Sequence, residues 1–397
     1  MYSLITSSAF FYLTFATAVL GQNIDSTPTS RIIERETLAT PCVCTDYSQI
    51  APAIQACSSI TLSNIHAPVS STISLMQLKP GTTITFAGTT TFGITKNSQF
   101  KPIQISGSNV TVRGEKGCII DGGGPDYWDG LGSNGGLPNC LSRKKNINTA
   151  RPGQFMKIQL TNHSTIEDLK IINYPSHGIN LAGMHDSVVR RIIIDNRLGD
   201  APNSISNGLS AAHNSDGFNV GNSVNLRLED CQVWNQDDCV VVSDSENITV
   251  NNFYCSGSHG LSIAGGGTGV GHNITNILFQ NSIVTNSTIG VRIKTDQGAT
   301  GSVVNATWSN IMLSNIKKIG LDIQQDYGNS GSDGKPTNGV RVAGITFKDV
   351  VGSVVSQARN YYILCGDGSC SGFNFDNVKI TGGKGDSCNY PPSGCPK

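Results

Sequence analysis

An approximate repeat of short, β-branched runs, each opening on a polar turn, restricts the fold more than any other feature of the sequence. It recurs at Ser108-Asn109-Val110-Thr111-Val112, His163-Ser164-Thr165-Ile166, Ser223-Val224-Asn225-Leu226, Glu246-Asn247-Ile248-Thr249-Val250 and His272-Asn273-Ile274-Thr275-Asn276-Ile277. The last three, opening at Ser223, Glu246 and His272, follow one another at nearly even intervals. Several are followed by a second apolar run, such as Leu169-Lys170-Ile171-Ile172 or Ile283-Val284, and then a third, such as Val291-Arg292-Ile293. Periods of roughly 20–30 residues built from short strands fit a parallel β-helix, in which each coil buries its apolar side on its neighbours. A β-sandwich needs tight hairpins between alternating strands, and these are scarce. The expected class is all-β, a parallel β-helix. Tyr47 to Cys57 alone has helical periodicity and is expected to cap one end.

Charge excludes several functions. The chain carries 28 Lys plus Arg against 28 Asp plus Glu, and charged residues make up only 14%. That balance argues against disorder and against nucleic-acid binding. Residues 1–21 are uncharged, with apolar runs at Phe10-Phe11-Tyr12-Leu13 and Ala18-Val19-Leu20, and read as a signal peptide cut near Gly21. The run is shorter than the ~20 residues a membrane span needs, and no later segment approaches that length, so no membrane partner is expected. Residues 22–40 are polar and read as a propeptide or disordered lead, and 41–397 as a single domain.

Twelve Cys in a secreted chain read as disulfides. The short-range candidates are Cys42 with Cys57, Cys239 with Cys255, Cys365 with Cys370, and Cys388 with Cys395. Cys44, Cys118, Cys140 and Cys231 leave room for two more bridges. Glycosylation sequons stand at Asn109, Asn162, Asn247, Asn273, Asn286 and Asn305.

Four polar clusters carry the chemistry: Asn214-Ser215-Asp216, Gln236-Asp237-Asp238, Gly257-Ser258-His259-Gly260 and Arg292-Ile293-Lys294. The interval from Asp216 to Asp238 equals that from Asp237 to His259. Each is about one coil, so a β-helix stacks three carboxylates and a histidine on adjacent rungs, ~4.8 Å per step. Arg292 and Lys294, at alternate positions of a strand, share a face. Any one of these Asp residues is ordinarily a turn former; four clusters at coil spacing are not explained that way. Clustered carboxylates raise one another's pKa, which suits a site needing one protonated acid beside an ionised base. Two cations beside them suit an anionic substrate.

These segments resemble the four signatures of the polygalacturonases of glycoside hydrolase family 28, most like its endo-acting members. Asp121-Gly122-Gly123-Gly124, Tyr127-Trp128-Asp129-Gly130, Asp195-Asn196-Arg197, Gln324-Gln325-Asp326-Tyr327 and Cys365-Gly366-Asp367-Gly368-Ser369-Cys370 extend the similarity from about residue 41 to the C-terminus. The resemblance implies a right-handed β-helix that hydrolyses α-1,4 bonds of polygalacturonate (pectin) within the chain, with inversion and without metal or cofactor. It implies Asp237 as general acid, Asp216 and Asp238 holding the water, and His259 influencing the acid. Arg292, Lys294 and Tyr327 would contact substrate, with Asn214 and Gln236 lining the substrate site or orienting their neighbours. Inversion needs an acid–base gap of ~6.5–9.5 Å. A secreted monomer, with plant polygalacturonase-inhibiting proteins as further partners, is the accompanying expectation. The sequence departs from the family at Ser215 for threonine, Asn219 for aspartate and Ser258 for glycine, and Ser258 is expected to add a side chain where the sugar passes. An exo-acting pectic hydrolase and a catalytically impaired pectin-binding homologue stay open as alternatives.

Overall fold

A computed structural model of the protein describes residues 42–132, 150–269, 271–328 and 332–396. The expected segments 1–21 and 22–40, and Cys140, lie outside the described residues. The β-branched runs become short parallel strands, because each pairs with the equivalent run one coil on. One eleven-stranded sheet contains, in spatial order, the strands Ile73–Leu78, Ile103–Ser108, Gln154–Thr161, His177–Ala182, Phe218–Gly221, Val240–Ser243, Leu261–Gly265, Ile289–Asp296, Ile319–Tyr327, Arg359–Leu364 and Ser387–Cys388. The remaining strands stack the same way on the other side of the coil, giving a right-handed parallel β-helix.

Alternation sorts the side chains. Along the sheet, Ile179, Phe218, Val240, Leu261, Val291, Leu321 and Tyr361 share one register row and are buried. The next row, Asn180, Asn219, Val241, Ser262, Arg292, Asp322 and Tyr362, lies on the opposite face of the sheet. Inside the coil, Phe279, Trp308, Phe347 and Phe375 form a continuous stack with ring centroids 5.1, 5.0 and 5.6 Å apart. The turns run through left-handed Asn, which tolerates positive φ. Amide ladders link them, as in Asn281 Nδ2 donating to Asn251 Oδ1 at 2.8 Å and Asn310 to Asn281 at 2.9 Å. All six sequon asparagines are exposed, several of them within these ladders.

The short helix Ile50–Ala56 falls where helical periodicity was expected. It follows a single 3₁₀ turn, Tyr47–Gln49, that Asp46 and Gln49 close as a capping box, and it buries Ile50 and Ala53 over the end of the coil stack. All four short-range disulfides are present: Cys42–Cys57, Cys239–Cys255, Cys365–Cys370 and Cys388–Cys395. The room left for two further bridges is not filled among the described residues. Cys44, Cys118 and Cys231 are unbridged and buried, packing as small apolar side chains, and burial pushes the Cys231 thiol up to about 12.

Candidate active site

The site lies where three successive strands of the eleven-stranded sheet begin. Phe218 pairs with Val240 and Val240 with Leu261, so Asp216, Asp238 and His259 each sit just before an aligned position, at the same distance from it. The second of these rungs is a single position shorter than the first, so His259 is level with Asp238 rather than with Asp237, as the equal intervals had suggested. It nevertheless turns to Asp237, with Nδ1 3.1 Å from Oδ1 and its backbone N–H donating to the Asp237 carbonyl at 2.7 Å. Gly260 makes that turn possible at φ +80°, since a Cβ there would collide with the carbonyl oxygens of Ile289 and Gly290.

Buried donors hold the three carboxylates. Asp237 accepts from Asn214 Nδ2 at 3.1 Å and from the Asp238 N–H at 2.8 Å. Asp238 accepts from Ser262 Oγ at 2.6 Å and pairs with Lys294 Nζ at 2.8 Å. Asp216 accepts from Asn219 Nδ2 at 2.5 Å. The buried Asn235 amide ties the turn together by donating to the carbonyls of Ser215, Asp237 and Asp238 at 2.7, 3.0 and 2.9 Å.

These surroundings separate the acids. Burial, reinforced by the Asp237 and Asp238 charges, holds the Asp216 carboxyl well above its usual range. Burial also opposes the Asp237 charge, but the His259 imidazolium, by proximity and hydrogen bond, and the Lys294 ammonium pull that carboxyl below the usual range. His259 is correspondingly raised: burial works against its charge and Asp237 outweighs it. Lys294 is raised in the same way, with Asp238 outweighing burial.

Arg292 and Lys294 share a face as expected, one rung beyond Ser262 and Ala264. Their charges lie 4.9 and 5.0 Å from the Tyr327 ring centroid. Asn214, Asp216, Asp237, Asp238, Lys294 and Tyr327 line a cavity of about 340 Å³. An adjoining one of about 370 Å³ is lined by Asn214, Asp237, His259, Arg292 and Tyr327. Gln236 accepts from Ser215 Oγ at 2.7 Å, donates to Asp200 Oδ1 at 2.7 Å and to the Asn196 carbonyl at 2.9 Å, and lines a cavity of about 480 Å³.

Ser258 corrects the expectation of added bulk in the cleft. It is fully buried, its hydroxyl 2.9 Å from Ser287 Oγ and accepting from the Gly260 N–H at 3.0 Å. The side chain points into the coil stack because its outward neighbour is His259. His177, His213, Gln324 and Asp322 also line these cavities; Gln324 stands in a stretch that carries the family resemblance but is not among the expected site residues, and nor are the other three. Asp322 and Gln324 fall in the outward rows with Arg292 and Lys294, and His177 sits two positions before the aligned Ile179, as Asp216 does before Phe218. Ligand atoms of Asp237, Asp238 and His259 lie within 4.8 Å of one another, but the Lys294 ammonium already serves as cation to Asp238, so this donor set does not fit a metal ion. A groove of about 630 Å³ around Lys116, Lys170 and Arg191 lies apart and includes none of the expected site residues.

Paired carboxylates with a histidine and two cations on the flank of a β-helix define a hydrolase acting on polysaccharide bonds. Residues 57–396 match glycosyl hydrolases family 28, and the chain belongs to that family. It is an endo-acting glycoside hydrolase. It is 49% identical over 356 residues to a probable endopolygalacturonase D of Neosartorya fischeri, covering 90% of this chain and 73% of that one. It is 46% identical over 371 residues to a polygalacturonase of Fusarium fujikuroi, covering 93% and 95%. Among solved structures, endopolygalacturonase I of Stereum purpureum, complexed with two galacturonate, superposes with a TM-score of 0.71 at 30% identity, covering 86% and 95%.

Proposed function

We propose that the protein is a secreted endo-polygalacturonase that cuts α-1,4-galacturonosyl bonds of homogalacturonan with inversion. The observation that carries this reading is the stack of Asp216, Asp238 and His259 at three aligned strand starts, with Asp237 bonded to His259 and Lys294 beside Asp238. In the free site the proton between Asp237 Oδ1 and His259 Nδ1 rests on the imidazole, and Asp237 draws it on to its own carboxyl as the leaving oxygen approaches. Asp237 passes it to the glycosidic oxygen as that bond breaks. Asp216 and Asp238 hold a water against the anomeric carbon, and Asp238, paired with the Lys294 ammonium, takes the water's proton as it attacks. Arg292, Lys294 and Tyr327 bind a uronate carboxylate and its ring. Further cavities of about 530 and 480 Å³, one lined by Gln154, Lys157 and Asn180, the other by Arg197, Trp234 and Lys317, extend the surface beyond the reacting bond, which favours cutting within a polymer. Residues 1–21 are a signal peptide and 22–40 a propeptide or lead, consistent with four disulfides. Among the described residues no helix is long and apolar enough to cross a membrane.

The test is purified protein on de-esterified polygalacturonate, following viscosity and product sizes. A rapid viscosity fall with mixed oligomers is expected. Release of monomer without that fall makes the enzyme exo-acting, and a folded protein that binds polymer without cutting makes it an impaired homologue. Asp237→Asn is nearly isosteric but cannot donate the proton; turnover within tenfold of the parent removes Asp237 from the acid role.

A further inference from the structure

Among the described residues, Asp322 is the one buried carboxylate lining the substrate cavities that the mechanism leaves unused. It stands on the strand Ile319–Tyr327, in register with Arg292 on the preceding rung and Tyr362 on the following one. It is 1% exposed and lines the same cavity as Asp237, His259 and Arg292. Neither carboxylate oxygen takes a hydrogen bond among the described residues, and its ion-pair partner is Arg292 Nε at 3.3 Å. The remaining charged and titratable groups facing it are Lys294 beside Arg292, Asp326 and Tyr327 on its own strand, and Arg359 and Tyr362 on the next.

We propose that Asp322 competes with the substrate uronate for Arg292, so that uronate binding is coupled to uptake of one proton by Asp322. The inference rests on the uronate-binding reading of Arg292 given above. In the free site Arg292 is the counter-ion of Asp322. A uronate arriving at the same guanidinium brings a second carboxylate into a buried space, and like charges disfavour each other's ionised form. Taking a proton from solvent on to Asp322 removes the conflict and frees the guanidinium for the ligand. Burial first, opposed by Arg292, already pushes this carboxyl up to about 7, and a bound uronate pushes it further in the same direction. Below about 7 the proton is already present and binding takes up none; above it, binding requires uptake and weakens as pH rises.

The experiment measures KM for polygalacturonate between about pH 5 and 9, together with calorimetry of galacturonate binding near pH 8 in phosphate and Tris, for the parent and Asp322→Asn. In the parent, KM should rise by up to about tenfold per pH unit above neutrality, and binding should take up as much as one proton. In Asp322→Asn both effects should vanish while kcat at acidic pH is kept; a side chain that merely packs would leave the pH dependence of KM alone. An equal rise or equal uptake in the two proteins overturns the inference. Should the variant not fold, carboxyl carbon NMR of the parent with and without galacturonate reads the same protonation, and an unmoved Asp322 titration refutes it. A parent that neither cuts polygalacturonate nor binds galacturonate at any pH overturns the uronate reading and this inference with it; one that does both without proton uptake overturns this inference alone.

Discussion

Removing the Lys294 ammonium by Lys294→Met should damage both the fold and the chemistry. Lys294 Nζ is 2.8 Å from Asp238 Oδ2, and the two side chains are 14% and 2% exposed. At an effective dielectric near 20 the attraction is about 6 kcal/mol before desolvation is counted. Without the ammonium the carboxylate keeps the Ser262 hydroxyl as its side-chain donor among the described residues, and an uncompensated buried charge costs about 3–5 kcal/mol. Adding Asp238→Asn removes that charge, so the double variant should recover at least about 2 kcal/mol of the loss. Urea unfolding of the parent, both single variants and the double closes the cycle, with an unchanged m-value required for the comparison. The resemblance assigned Lys294 to substrate binding alone, which predicts a raised substrate requirement. The ion pair predicts in addition a fall in kcat of about 100-fold or more, because the group meant to receive the water's proton is no longer held. A single variant within about 1 kcal/mol of the parent, or an additive cycle, would refute the reasoning.

Trp308 is fully buried between Phe279 and Phe347 and donates Nε1–H to the Leu261 carbonyl at 3.3 Å, on the strand that follows His259. Trp308→Ala should cost about 3–5 kcal/mol in chemical unfolding; a loss below about 1 kcal/mol would mean the aromatic stack does not support the coils. The His259–Asp237 pair sets a pH window. Asp237 is depressed in the fold, so its stabilisation is present above its ordinary value of 3.8 and lost as pH falls through the folded one. His259 is raised, so its stabilisation is present below 6.5 and lost as pH rises through its folded value. His177 and His213, both lowered chiefly by burial, act with the opposite sign. The difference in melting temperature between the parent and His259→Gln should therefore be largest between those two ordinary values and shrink on either side; a difference independent of pH contradicts the pairing.

The fold was legible because β-helix coils repeat a short motif, and the stacked carboxylates because Asp216 and Asp238 fall one coil apart. Coil length then varies: the step along the sheet is short from Val240 to Leu261, longer from Val291 to Leu321 and longest from Leu321 to Tyr361. Loops of unpredictable length do not disturb strand pairing, because pairing is fixed by which face is buried, yet they erase any spacing signal between rungs. That is why Asp322, level with Arg292 but separated from it by one of the longer coils, could not be read from the sequence. The partnership of His259 with Asp237 came from the resemblance, whereas the true rung length sets His259 level with Asp238.

The departures from the family pattern divide on the same principle. At Ser258 the side chain faces the coil interior, where Ser287 and the Gly260 N–H satisfy its hydroxyl, so the substitution changes buried packing and leaves the cleft wall as it was. At Asn219 the side chain faces outward beside Asp216, and its amide donates to a carboxyl that burial and two neighbouring charges already push upward. An ionised aspartate there has no hydrogen to give and adds a fourth negative charge. Asparagine lowers the cost of ionising Asp216 where aspartate would raise it. Asn219 therefore eases ionisation of a carboxylate proposed to hold the attacking water, and that argues against impaired catalysis.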